Sequence, residues 1–112
     1  MSMMQFIITD HFKRQLKPLF KKFPSLKDDL IRELLSFDQR RAISLGHGTY
    51  KIRVSCKDLR KGKSGGFRVI ILVIEIDILI APLAIYFKGE REGISKEEIL
   101  FHAAIIQKEI EG

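Results

Sequence analysis

The chain has 112 residues, of which 46% are apolar and 30% charged, with a formal net charge of +6. This is the composition of an ordinary globular protein of one domain, spanning 1–112, with a single modest core. The positive balance favours an anionic partner: nucleic acid, an anionic membrane or an acidic protein. Cys56 is the only cysteine, which excludes an intrachain disulfide and a thiolate metal cluster and suits a reducing cytosol.

In chain order, "MQFIIT" is rich in β-branched and aromatic residues and predicts a first strand. The opening "MSMMQFIITDHFKRQ" has neither a basic start nor a long apolar run, so it does not read as a signal peptide. Asp10 offers an N-cap oxygen to a helix whose apolar stripe is Phe12, Leu16, Leu19, Phe20 and Phe23. Pro18 falls inside that stripe and predicts a kink or restart. Ser25 and Asp28 form a capping-box-like start for a second helix, with Leu26, Leu30, Leu34 and Phe37 inward and Ile31 and Leu35 flanking. Helices this short need a partner surface.

After glycines at 46 and 48, Tyr50, Ile52 and Val54 alternate with Lys51, Arg53 and Ser55, the pattern of a half-buried strand. A glycine-rich basic loop, "KDLRKGKSGG", follows. Phe67 to Ile74 and Leu79 to Phe87 then predict two strands that are apolar on both faces, as central strands covered on both sides would be. Glu75, Asp77 and Pro82 interrupt this apolar stretch, which is too short to span a bilayer. Ser95 and Glu98 make a capping box for a last helix, whose apolar side carries Ile99, His102, Ile106 and Ile110. The expected architecture is α+β: an antiparallel meander with the helices packed on the sheet.

Little of this is conventional catalytic apparatus. His11, His47 and His102 lie on three elements, with no pair at ligand spacing, and no metal or cofactor is expected. His11 reads as a helix-start surface residue and His102 as a core-edge residue. His47, between two glycines, reads either as a turn residue or as an acid–base group. "GKSGG" lacks the spacing of a nucleotide-binding loop and precedes a strand rather than a helix.

What remains is cationic. Between Lys51 and Arg68 the chain holds seven Lys or Arg against one acid, Asp58, whereas 69–87 and 88–112 each carry a net charge of −2. Lys51 and Arg53 share one strand face, Lys63 and Arg68 flank the glycines, and Tyr86 and Lys88 are again two apart. If the three strands are neighbours, these six side chains line one surface. On the residues alone, two readings stand: a single-stranded RNA site of cations and a stacking aromatic, and a solvated basic loop.

The stretch "GTYKIRVSCKDLRKGKSGGFRVI", followed by "IYFKGERE" and "ISKEEI", resembles the RelE/ParE toxin superfamily. It looks closest to the HigB-like branch, with its "K-R... GK-GG-R-I" and later "IY-K-E" segments. The resemblance spans about residues 5–110 and is most specific at 51–91. It implies a small RelE-like fold, with an antiparallel sheet of about four strands, two N-terminal helices and one C-terminal helix. It implies the cytoplasmic toxin of a type II toxin–antitoxin pair, a metal-independent endoribonuclease that cleaves messenger RNA in the A site of the 70S ribosome. The implied partner is a cognate antitoxin, HigA-like with a helix-turn-helix, in a toxin–antitoxin hetero-oligomer. By resemblance, Lys51 and Arg53 contact phosphate, with Lys51 also a candidate base. Arg68 stabilises the transition state, and Tyr86 stacks on or orients the scissile nucleotide. Lys63 and Lys88 contact RNA or ribosomal RNA, and Arg60, Lys61 and Arg91 are ribosome-docking candidates. Two other readings remain within the superfamily: a ParE-like gyrase inhibitor without enzymatic activity, and a catalytically degenerate RNA-binding member.

Overall fold

A computed structural model describes residues 5–59, 66–76 and 79–112. Its elements are β1 (Gln5–Phe6), α1 (Asp10–Lys22), α2 (Leu26–Leu35), β2 (Ile43–Gly46), β3 (Thr49–Val54), β4 (Phe67–Ile74), β5 (Leu79–Phe87) and α3 (Lys96–Glu111). The fold is α+β, with a five-stranded sheet in the order β1-β5-β4-β3-β2.

β2 to β5 form the expected antiparallel meander. Two features differ from expectation. β1 pairs with β5 in parallel, so the sheet is mixed. The chain leaves β1 into the two helices and completes the whole meander before β5 returns beside it. β2 is a fifth strand whose four residues are all exposed. An element with no buried face leaves no apolar alternation to read.

β4 and β5 are apolar on both faces because helices cover both. Val54, Phe67, Val69, Ile71, Ile80 and Ile85 pack with Phe12 and Leu16 of α1 and Leu26, Leu30 and Leu34 of α2. The opposite face, with Ile70, Leu72, Leu83, Ala84 and Tyr86, packs with Ile106 of α3. Burying a side chain such as Phe67 or Ile70 is worth roughly 1.5–3 kcal/mol, so these two layers dominate stability.

The helix starts need three corrections. Thr9, not Asp10, caps α1, its Oγ1 accepting from Phe12 N at 3.2 Å, and Asp10 is instead the first helical residue. α1 does not restart at Pro18 but continues through it as one helix. The proline is exposed, and burial of Phe12 and Leu16 outweighs its local cost of about 3 kcal/mol. Ser25 precedes α2 but makes no side-chain capping bond. Its hydroxyl lies 3.3 Å from both Asp29 Oδ2 and Cys56 Sγ and accepts from Asp58 N at 3.2 Å. Asp29 is only 2% exposed and also accepts from Lys57 N and Arg32 Nη1. Burial opposes its ionisation, but the bonds from Lys57, Arg32 and Ser25 outweigh it and hold the carboxyl below its ordinary range. This network fastens the end of β3 to the start of α2. The capping box of α3, by contrast, forms as the sequence predicts.

α1 and α3 meet through groups far apart in sequence. Glu109 accepts from the backbone N–H of Asp10 and His11 at 2.9 and 3.0 Å, so a residue of α3 serves the N-terminus of α1. Beside it, His11 Nε2 and His102 Nδ1 are 2.7 Å apart, so His11, at the start of α1 as expected, is tied to α3. Burial lowers both histidine pKa values. Arg14 also lowers that of His11, while Glu109 opposes; for His102, His11 and Arg91 lower and Glu98 opposes.

Depressed values mean that the unfolded chain binds protons more readily than the folded one. The stabilisation is therefore complete above the ordinary value of 6.5 and lost as pH falls through the folded values. Urea unfolding at a series of pH values from 7.5 down to 5 should show this loss in the parent and a flatter dependence in a His11→Gln, His102→Gln double variant.

Candidate nucleic-acid interface

The register of the meander builds the site. Arg53 of β3 lies directly opposite Arg68 of β4, and Arg68 lies directly opposite Tyr86 of β5. Directly opposed residues point to the same face, so these three form one row across three strands, about 4.8 Å apart per step. In the next row Lys51 opposes Ile70, which opposes Ala84. Lys51 thus joins the face of Arg53, Arg68 and Tyr86. The face is the one that α3 covers further along, and its packing with Ile106 includes Tyr86.

Exposure is graded along the row. Arg53 is exposed, Arg68 is 9% exposed and Tyr86 is 7% exposed. Arg68 donates from Nη1 to the Phe67 carbonyl at 3.3 Å. Burial and the neighbouring charge of Arg53 lower its pKa, and Tyr86 opposes that shift. It nevertheless stays a cation at any working pH. The Tyr86 hydroxyl is buried and has no hydrogen-bond partner among the described residues.

Arg91 lies across the Tyr86 ring, its Cζ 5.6 Å from the ring centroid. Of the two roles expected of Tyr86, stacking and orienting, one ring face is therefore already taken. The polar atom the residue offers is its hydroxyl.

Not every expected cation joins the row. Lys88 lies just past β5; its N–H donates to the Gly66 carbonyl, and its ammonium donates to the Glu92 carbonyl at 3.2 Å. Arg60, Lys61 and Lys63 lie outside the described residues. Gly66, which closes that loop onto β4, has φ +52, and a Cβ there would meet Val54 O at 2.7 Å, so only glycine fits. His47 sits at the tip of the β2–β3 turn with φ +54, exposed and away from the row, which supports the turn reading. Beside Lys51 and Arg53, at the outer edge of β3, a cleft of about 340 Å³ is lined also by Phe37, Asp38, Arg41 and Ile52.

Two guanidinium side chains in direct cross-strand opposition are a poor choice for stability alone, because like charges facing each other destabilise a sheet. An anion placed over the row reverses the sign. Two cations on one face are chemically suited to a phosphate with charge on several oxygens. Among the described residues, no three His, Cys, Asp or Glu side chains cluster so as to hold a metal ion. No helix among them is long and apolar enough to cross a membrane.

No protein-family model matches the chain, and no curated protein matches it. Among solved structures, a mutant of the E. coli toxin RelE in the free state aligns over 92% of this chain and 96% of that chain. The identity is 19% and the TM-score 0.49. The functional reading rests on this chain's own residues.

The unsatisfied hydroxyl gives a direct check on the site. Removing a buried polar atom that lacks a partner costs nothing, so Tyr86→Phe should be as stable as the parent or more stable by ~1 kcal/mol. A lower thermal melting midpoint would show that the hydroxyl has a structural partner after all.

Proposed function

We propose that this protein is the toxin of a type II toxin–antitoxin pair, an endoribonuclease that cleaves messenger RNA in the ribosomal A site. The observation that supports this most is the row Arg53–Arg68–Tyr86, with like charges opposed and a buried hydroxyl at its end. The motif resemblance of 51–91 points the same way.

In this reading the 2′-hydroxyl of the substrate attacks the adjacent phosphorus and the bond to the 5′-oxygen breaks. The products are a 2′,3′-cyclic phosphate and a 5′-hydroxyl; the proton lost by the first oxygen is balanced by the one gained by the second. No water is consumed and no oxidant is needed. Arg53 and Arg68 offset the second negative charge of the phosphorane, the task of a preorganised electrostatic site. The Tyr86 hydroxyl, buried in the free protein, is reached once bound RNA displaces the side chains over it, and then donates to a phosphate oxygen. Lys51, one step along β3, serves proton transfer. Arg60, Lys61, Lys63 and Lys88 hold the RNA backbone or ribosomal RNA, a contribution that weakens with salt. The partner in the cell is an antitoxin, HigA-like with a helix-turn-helix, in a cytoplasmic hetero-oligomer.

Primer extension on translated messenger RNA after induction tests the reading. The parent should give discrete cleavage within codons and arrest growth. Loss of one such electrostatic contact is worth ~10²–10³ in rate, so Arg68→Ala should abolish detectable cleavage and be tolerated. Growth arrest with intact translation and a DNA-damage response would instead indicate a gyrase inhibitor. Toxicity unchanged in Arg68→Ala would remove Arg68 from the chemistry.

A further inference from the structure

Arg91 reads from the sequence as a cation free to dock on a ribosome. In the structure its guanidinium is occupied. Nη2 and Nη1 donate to Glu98 Oε1 and Oε2 at 2.7 and 3.2 Å, a two-pronged ion pair, and Nε donates to the Gly93 carbonyl at 2.7 Å. The same carboxylate accepts from Ser95 N and Ser95 Oγ, at 3.2 and 3.3 Å, in the capping box that starts α3. The Arg91 guanidinium and the bonds from Ser95 hold the Glu98 carboxyl down at about 2. The pair therefore stays ionised throughout the pH range in which the protein would work.

A guanidinium held at three nitrogens has a fixed plane. This one lies over the Tyr86 ring. The contact adds to the packing of Tyr86 with Ile70, Leu83 and Ile106. A tyrosine ring held in place leaves its hydroxyl little freedom, and the backbone register puts Tyr86 in the row with Arg53 and Arg68.

We propose that Arg91 and Glu98 are positioning residues for Tyr86: Glu98 orients Arg91, and Arg91 holds the Tyr86 ring so that its hydroxyl meets the scissile phosphate. This rests on the ribonuclease reading above. Its elements are a short turn and the first turn of α3, so the start of that helix is part of the site. Glu98 thus has two roles, closing the helix end and aiming the arginine. The fork of Arg91 is needed as well as its charge, because a compact ammonium cannot pair with both oxygens of Glu98 while keeping its charge over the ring.

The test combines kinetics with spectroscopy on the full chain, after far-UV circular dichroism shows each variant folded. On translated messenger RNA, Arg91→Ala should lower turnover about tenfold with little change in half-saturation, as expected for misplacement of a catalytic group. Arg91→Lys should lose nearly as much, although it keeps the charge, and Glu98→Gln should fall in the same direction. In a Tyr86→Phe background, Arg91→Ala should add no further loss, because its effect passes through the hydroxyl. Multiplying effects, or a loss confined to half-saturation that Arg91→Lys restores, would make Arg91 a docking cation and overturn the proposal.

A second readout is independent of cleavage. The chain has two tyrosines and no tryptophan, so in a Tyr50→Phe background near-UV circular dichroism reports Tyr86 among tyrosines. Arg91→Ala and Glu98→Ala should each weaken that band; an unchanged band overturns the positioning. A parent that never cleaves RNA, yet shows the spectroscopic change, would remove the ribonuclease reading while leaving the restraint on Tyr86 in place.

Discussion

The candidate site depends on the hydrogen-bonded register that sets β3 against β4 and β4 against β5. Because side chains alternate along a strand, a slip of one residue would turn Arg53 or Tyr86 toward α1 and α2 and place an apolar residue in its stead. The register is held from both sides of the sheet. Phe67, Val69 and Ile71 are fixed under the first two helices, while Ile70 and Leu72 face the other way. Two buried faces on the same strands leave one compatible alignment. The bulge between Ile70 and Ile71 comes after the row, so the opposition of Arg68 and Tyr86 is undisturbed.

That rigidity has an electrostatic consequence. The backbones of Arg53 and Arg68 cannot separate without unpairing two central strands, so the fold itself brings the two charges to one place. A flexible loop with the same charges would spread them apart and need to gather them on binding. Here the gathering is done by hydrophobic burial on the far side of the sheet, and an anion meets a charge arrangement already in place. The buried network of Asp29, Ser25, Lys57 and Asp58 extends this past the end of β3, within the basic stretch.

Much of the fold was legible in the sequence because its signals are local. The apolar runs of β4 and β5 carry their own boundaries, and the alternation in β3 assigns Lys51 and Arg53 to one face without any tertiary information. The capping box at Ser95 is equally self-contained. What escaped is long-range or marginal. Thr9 and Asp10 are both good cap residues, and periodicity alone does not separate neighbours. β2 has no buried face to announce it. The His11–His102 pair joins residues 91 apart, and the Arg91–Glu98 clamp requires the turn after β5 to fold back on α3. The sequence shows cations at these positions but not which of them an acid already holds.

One contact bears on how this sheet meets other chains. β1 is only two residues long and pairs with Leu79 and Ile80, so among the described residues no strand lies beside most of the outer edge of β5. At that edge the side-chain amide of Gln15 donates to the Leu83 carbonyl at 2.9 Å, and its oxygen accepts from Ile85 N at 3.1 Å. A single helical side chain thus imitates the peptide group of a missing strand. Any extended segment that sought to lengthen the sheet there would first have to evict Gln15 and loosen α1 from the core. This edge is closed to templated strand addition by a glutamine, rather than by the charges or prolines that usually guard such edges.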